Sequence, residues 1–368
     1  MNETILQFGT GRFLRCFIGI FAQELNDGPN PIGPIVAVQS TGADRAEQIN
    51  ARDGLLRGAI RGLVEGRPVD RIVEIRSIAR AIAARQQWDA LLDVARSASL
   101  RYVVSNTTEA GLSLAPEDAT PSGIPVSYPA KLLAVLASRH ESGLEGVTVL
   151  PCELVERNAE RLRDLVLEQA AIWRVGADLV EWLRDGCSWH STLVDRIVAA
   201  PPQGDEAAQG DPLFAVAEPF AAWVIEGVSG EQPLASHPAI EFVDRLEPYH
   251  LRKVRILNGA HTALVAKALP MNIQTVRQAV EDSRIRPWLE ELLFEEIVPT
   301  IADRVKDPES FARSVLERFA NPFLEHRLAD IALHHETKLE TRLRPTFGEF
   351  HIAFGRKPKI LGEILGGD

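Results

Sequence analysis

Several residue types are scarce in this sequence, and each shortage removes a class of protein. Cys16, Cys152 and Cys187 are the three cysteines among 368 residues, odd in number and without a CxxC pair. They build neither a disulfide framework nor a thiolate metal site, so a reducing cytoplasm is the expected setting. No uninterrupted apolar run approaches about 18 residues, and no membrane-spanning helix is expected. The N-terminus lacks the basic start and long apolar core of a secretory signal. Positive charge is also short. Lys and Arg number 40 against 51 Asp and Glu, for a formal net charge of −11 and a pI of about 5.4. No basic run offsets this locally, which argues against a nucleic-acid partner.

Apolar side chains make up 45% of the 368 residues, an ordinary proportion for a chain long enough to form two cores. "ETILQFG", "PIVAVQS", "LRYVVSNT" and "VTVLPCE" read as strands, separated by amphipathic stretches such as "FLRCFIGIFAQEL", "QWDALLDVARS" and "YPAKLLAVLASRH". That alternation predicts βαβ units and a mostly parallel, Rossmann-like sheet over residues 1–240. Helical periodicity takes over beyond it, predicting a mainly α-helical domain over 241–368. "AAPPQGDEAAQGDP" reads as a surface loop, and the last twenty or so residues fit neither pattern.

"ILQFGTGRFLR" sets Gly9 and Gly11 between a strand and a helix, where a dinucleotide-binding turn needs glycine. Phe13 follows where a third glycine would be expected, so the pattern alone is weak. No acid closes the second strand in the position that binds an adenosine ribose; Asp44 arrives late, and Arg45 could face a 2′-phosphate. NAD and NADP both stay open on this feature. Asn106, Thr107, Thr108 and Glu109 follow another strand, placed to meet a nicotinamide ribose or a substrate, or to form an Asx turn and helix cap.

Lys253, Asn258 and His261 stand in "LRKVRILNGAHTALV", an otherwise core-like helix expected over 248–268. At about 100° per residue they share an arc of about 140°. Three unlike polar groups on one side of a buried helix destabilise it unless each has a partner or a task. A lysine in a dry pocket has a lowered pKa and becomes a usable general base. A carboxamide can donate to a developing alkoxide, and an imidazole can hold a substrate hydroxyl. Hydride transfer between an alcohol and a ketone needs those functions and no metal. His334, His335 and Glu336 are a thinner alternative as metal ligands, because neighbouring helix positions point about 100° apart.

"KVRILNGAH" fits K-x-x-x-x-N-x-x-H, and the chain here resembles the mannitol dehydrogenase family of polyol-specific long-chain dehydrogenases. "FGTGRFLR", "VVSNTTEAG", "LPCELVERN", "STLVDRIV" and "HHETKLETR" extend the resemblance over most of the chain. It implies Lys253 as general acid/base, Asn258 and Asn158 as donors to the substrate oxygen, and His261 on a substrate hydroxyl. It implies Lys338 facing the carboxylate of a sugar acid. The family's turn usually carries Glu and Asn where this chain has Thr10 and Arg12, and Arg12 would place a cation near the cofactor's pyrophosphate. Asp195 and Arg196 would lie near the cofactor or join the two domains. The implied activity is NAD(H)-dependent interconversion of a keto sugar acid and its aldonate, with tagaturonate and altronate the leading pair. A fructuronate reductase, a neutral-polyol dehydrogenase and a dinucleotide-binding sensor without catalysis are the alternatives. The family implies further helices after Arg344, where this chain has a short tail.

Overall fold

The structure is a computed structural model that describes residues 2–107, 111–227 and 233–366. Six parallel strands form the central sheet, in the order Ile78–Ala83, Ile35–Gln39, Ile5–Phe8, Tyr102–Ser105, Thr148–Pro151, Ser188–Trp189. Every residue of Ile5–Phe8 and of Ile35–Gln39 is buried, because each face of the sheet is covered. Ile5, Ile35 and Ala37 pack with Phe17, Ile18 and Phe21 on one side. Leu6, Val36 and Val38 pack with Leu91, Leu132 and Leu162 on the other. Strand order reverses beside Ile5–Phe8, so the crevice at its carboxyl end is where an open α/β sheet takes a ligand.

The four strands expected from β-branched runs are all present. The amphipathic stretch after the first of them is two helices, Arg12–Cys16 and Ile18–Asn26, broken at Phe17. Sequence reading overlooked a long hairpin, Leu56–Val64 with Arg67–Ile75, that joins two short strands in a second sheet. Its charged residues alternate irregularly, and its outer strand is mostly exposed. Thr192–Asp195, Ala222–Glu226 and Ile240–Val243 form a third sheet.

Beyond Val243 the described elements are helical, around a core that includes Ile256, Leu264, Leu292, Ile297 and Leu343. The final stretch corrects the expectation of a patternless tail. It forms helices Arg344–Phe354 and Lys359–Leu365, with Ile360 and Leu361 buried in that core. The Glu296 carboxylate accepts from the Ile360 and Leu361 amides at 2.8 and 2.9 Å. A buried acid thus caps a short helix whose own sequence offers no capping side chain. No helix among the described residues is long and apolar enough to cross a membrane.

Candidate active site

The expected helix over 248–268 exists, but it is not uniform. Glu247–Arg252 and Gly259–Ala268 are α-helical, and Lys253–Asn258 between them is a wide π-turn. In such a turn the backbone bond runs from residue i to i+5, so the five-residue spacing from Lys253 to Asn258 closes one turn. The arc read from a constant α-period is therefore replaced by a tighter arrangement, with Asn258 one turn along from Lys253. Single π-turns in α-helices recur at functional sites because they re-aim side chains at a cost in backbone regularity.

Lys253 donates from Nζ to the Val194 carbonyl at 2.7 Å. Burial lowers its pKa; the Asp195 and Glu218 carboxylates oppose that, and the Arg318 and Arg342 guanidiniums add to it. No described residue hydrogen-bonds the Asn258 side chain, which is half-buried. His261 is buried against Phe319 and His326, with ring centroids 4.3 and 4.8 Å away, and its Nε2 has no described partner. Burial and the surrounding charges of Arg318, Arg342 and Lys338 hold it well below the usual histidine pKa. A neutral imidazole is thus available to a hydroxyl. Among the described residues no three His, Cys, Asp or Glu side chains converge as metal ligands.

The expected residues Gly9, Gly11, Asn106 and Thr107 lie at the carboxyl ends of the sheet strands. Gly9 lies in the left-handed half of backbone space (φ +130°), and a Cβ there would meet Leu14 Cδ1 at 2.9 Å and the Asn106 carbonyl at 3.5 Å. A Cβ on Gly11 would meet nothing within 4 Å, which leaves its backbone open to a close-lying group. Arg12 is exposed beside it, and Phe13 stacks on Phe17 at 4.8 Å. These features fit a dinucleotide pyrophosphate: a turn tolerating only glycine, open backbone and a nearby cation. Asn106 donates to the Cys152 carbonyl at 2.6 Å, and the Thr107 amide donates to Glu153 at 2.8 Å. Thr108 and Glu109 lie outside the described residues.

Asn158 requires a correction. Its Nδ2 donates to the carbonyls of Pro151, Glu153 and Thr192 at 3.1, 3.0 and 2.9 Å, and its Oδ1 accepts from the Thr192 amide at 2.9 Å. The side chain has no exposure. A carboxamide committed in this way ties the Thr148–Pro151 strand to Thr192 and has both its donors and its oxygen engaged by the backbone. Asp195 resolves the alternative left by its sequence: both its oxygens bind Arg318, at 2.8 and 3.1 Å, across the two halves of the chain. Arg196 donates to the carbonyls of Cys16 and Glu218 at 2.9 and 3.0 Å, so it braces the first half internally. Lys338 donates to the Ile331 carbonyl at 2.7 Å, and burial lowers its pKa.

Three further residues belong here. Arg318, in helix Pro308–Phe319, also binds Glu218 at 2.7 and 2.9 Å, and this buried triad sits beside the lysine. Its helical pattern hid it, since an arginine in an amphipathic helix is ordinarily solvated. Buried Glu153 accepts from Thr107 and from Ser105 Oγ (3.1 Å), fixing the turn after the Tyr102–Ser105 strand; an acid two residues past the buried end of Thr148–Pro151 was the signal for it. Arg342 reaches Thr262 Oγ1 at 3.3 Å.

A parallel-sheet domain with a glycine turn, closed by a helical domain that offers a desolvated lysine, is the layout of a two-domain dehydrogenase. The chain belongs to the mannitol dehydrogenase family: residues 3–237 match its Rossmann domain and 245–365 its C-terminal domain. Altronate oxidoreductase of Enterobacter sp. (strain 638) is 39% identical, covering 98% of this chain and 77% of the relative. That of Bacillus subtilis (strain 168) is 36% identical with the same coverage. Among solved structures, substrate-free D-sorbitol dehydrogenase superposes with a TM-score of 0.86 at 23% identity, over 99% of this chain and 79% of that one. Pseudomonas fluorescens mannitol 2-dehydrogenase, in a ternary complex with NAD and D-mannitol, gives 0.81 at 23% identity, over 100% and 78%. These two likenesses concern the fold.

Proposed function

We propose that the chain is an NAD(H)-dependent oxidoreductase that interconverts a keto sugar acid and its aldonate, with tagaturonate and altronate as the pair. The observation that carries this reading is Lys253, desolvated on a π-turn with its Nζ held by the Val194 carbonyl. Relatives at 39% and 36% identity that are named altronate oxidoreductases support the substrate class.

A bound nicotinamide supplies the hydride in one direction and takes it up in the other. The chain's own residues manage the oxygen and the proton. In reduction the Lys253 ammonium gives a proton from Nζ to the carbonyl oxygen as that oxygen gains charge. In oxidation the neutral amine accepts the proton of the substrate hydroxyl. The lowered pKa enlarges the neutral population near pH 7, which suits a group that works in both directions. Asn258 donates from its uncommitted carboxamide to the same oxygen and stabilises its charge. His261 accepts from or donates to a neighbouring hydroxyl through its unpartnered Nε2. Asn158 acts indirectly by fixing the Thr192–Asp195 strand that carries the Val194 carbonyl.

The test is a spectrophotometric panel: NADH and NADPH oxidation against keto sugar acids and against neutral ketoses. Turnover of keto sugar acids with NADH supports the reading. Turnover confined to neutral ketoses, or no turnover at all, refutes it.

A further inference from the structure

The helical half holds two inward cations for which the described residues provide no carboxylate. Lys338 and Arg342 lie one turn apart on one helical run, in His335–Lys338 and Leu339–Leu343, and both are half-buried. The comparison with other arginines is informative. Arg255 pairs with Glu349 at 2.8 Å, and Arg318 with Asp195 and Glu218. Buried Arg15 and Arg139 and half-buried Arg196 lack a paired carboxylate but spend their donors on backbone carbonyls. Arg342 does neither. Its one hydrogen bond among the described residues is the 3.3 Å contact with the Thr262 hydroxyl. A guanidinium has five donors in a planar fork, so most of its capacity is unspent.

Its position gives that capacity a direction. Thr262 follows His261 in the catalytic helix, and the Arg342 charge acts on Lys253, His261 and Lys338 alike. A protein with a net charge of −11 does not lack acids to place opposite a cation. Holding Arg342 beside a desolvated lysine, and Lys338 with it beside His261, is unfavourable until an anion arrives, and the remaining candidate anion at this site is the substrate.

We propose that Arg342 is the specificity-determining residue for a carboxylate-bearing substrate. It receives the carboxylate through two parallel N–H···O bonds, with Lys338 as a second point charge. This rests on the reading of the site given above, and it moves the main burden of acid recognition from Lys338 to Arg342. Bidentate guanidinium–carboxylate pairing adds geometry to charge, which a lysine does not match.

The test is isothermal titration of a six-carbon aldonate and of the hexitol of matching configuration into the dinucleotide-saturated protein. Wild type, Arg342→Met, Arg342→Lys and Lys338→Met are compared, each checked for a native unfolding transition. Wild type is expected to prefer the aldonate by about 100-fold, the scale of one desolvated charge pair. Arg342→Met should lose that preference to within about threefold, and Arg342→Lys should keep about a tenth of it. Should Arg342→Met not fold, Arg342→Lys alone decides: a loss confined to the aldonate supports the proposal, and an equal loss on both ligands overturns it. An aldonate preference that survives Arg342→Met, that vanishes only in Lys338→Met, or that is absent from wild type also overturns it. If Arg342 governs the preference but wild type does not oxidise the aldonate with NAD+, the assigned activity fails while the assignment of Arg342 stands.

Discussion

Replacing Arg318 with methionine should be among the most damaging single changes outside the apolar cores. The guanidinium makes four bonds, to Asp195 at 2.8 and 3.1 Å and to Glu218 at 2.7 and 2.9 Å. The side chains of Arg318, Asp195 and Glu218 are 4%, 8% and 1% exposed, so water cannot replace it. The substitution leaves two buried carboxylates facing each other, and breaking one buried pair typically costs about 3–5 kcal/mol. Glu218 limits the damage. Burial already raises its pKa, so it can take up a proton and leave one charge. A net loss of about 4 kcal/mol follows, a fall in melting temperature of roughly 8–10 °C at the scale of a large domain. Urea unfolding and calorimetry at pH 7 measure it. The loss should shrink at pH 5, because burial raises the Glu218 pKa and that carboxyl takes up its proton more readily there. The triple variant Arg318→Met/Asp195→Asn/Glu218→Gln should recover most of the stability, because no charge is left buried. A loss below about 1 kcal/mol in the single variant, or a triple variant less stable than the single, would refute the triad's role as a buried tie between the two halves.

Two other perturbations separate structural from catalytic roles. Asn158→Ala strips partners from three carbonyls and an amide in a fully buried place, and should cost about 3 kcal/mol by urea unfolding; unchanged stability with a turnover loss of 100-fold or more would restore it as a substrate-facing donor. Lys131 is buried, and its pKa is lowered to about 8 from 10.5 by desolvation, with Asp118 opposing. Between those values the unfolded chain binds more protons than the folded one, so wild-type stability should rise with pH from about 8 toward 10.5. Lys131→Met should flatten that rise in melting temperature, and an identical pH dependence in both proteins would contradict it.

Much of the fold was readable because the buried parallel strands are short β-branched runs separated by amphipathic helices. The hairpin Leu56–Val64 with Arg67–Ile75 escaped because its outer strand faces solvent and shows no clean alternation. The last two helices escaped because their burial depends on partners such as Glu296 and Ile297, far away in sequence. At the site, Lys253, Asn258 and His261 could be read together from spacing, but the π-turn that aligns them could not, since a constant period was assumed. Asn158 shows the opposite error. Its place in the chain matched a family motif, while the carbonyls that claim its amide come from Pro151, Glu153 and Thr192 and are visible only in three dimensions. Arg318 and Arg342 are ordinary helix-surface residues by sequence. What marks them is the presence of buried carboxylates around one and the lack of any described carboxylate beside the other.

The central claim is that Lys253 exchanges the proton, and the Lys253→Ala variant tests it most directly. The variant should fold, since the change removes a desolvated cation and one bond to the Val194 carbonyl. Steady-state kinetics with NADH and a keto sugar acid should show turnover lower by about 10³-fold with little change in the KM for NADH. Wild-type oxidation of the aldonate should rise with pH and level off below 10.5, the ordinary lysine value, because burial lowers the pKa of Lys253. A Lys253→Ala protein with near wild-type turnover would contradict the account.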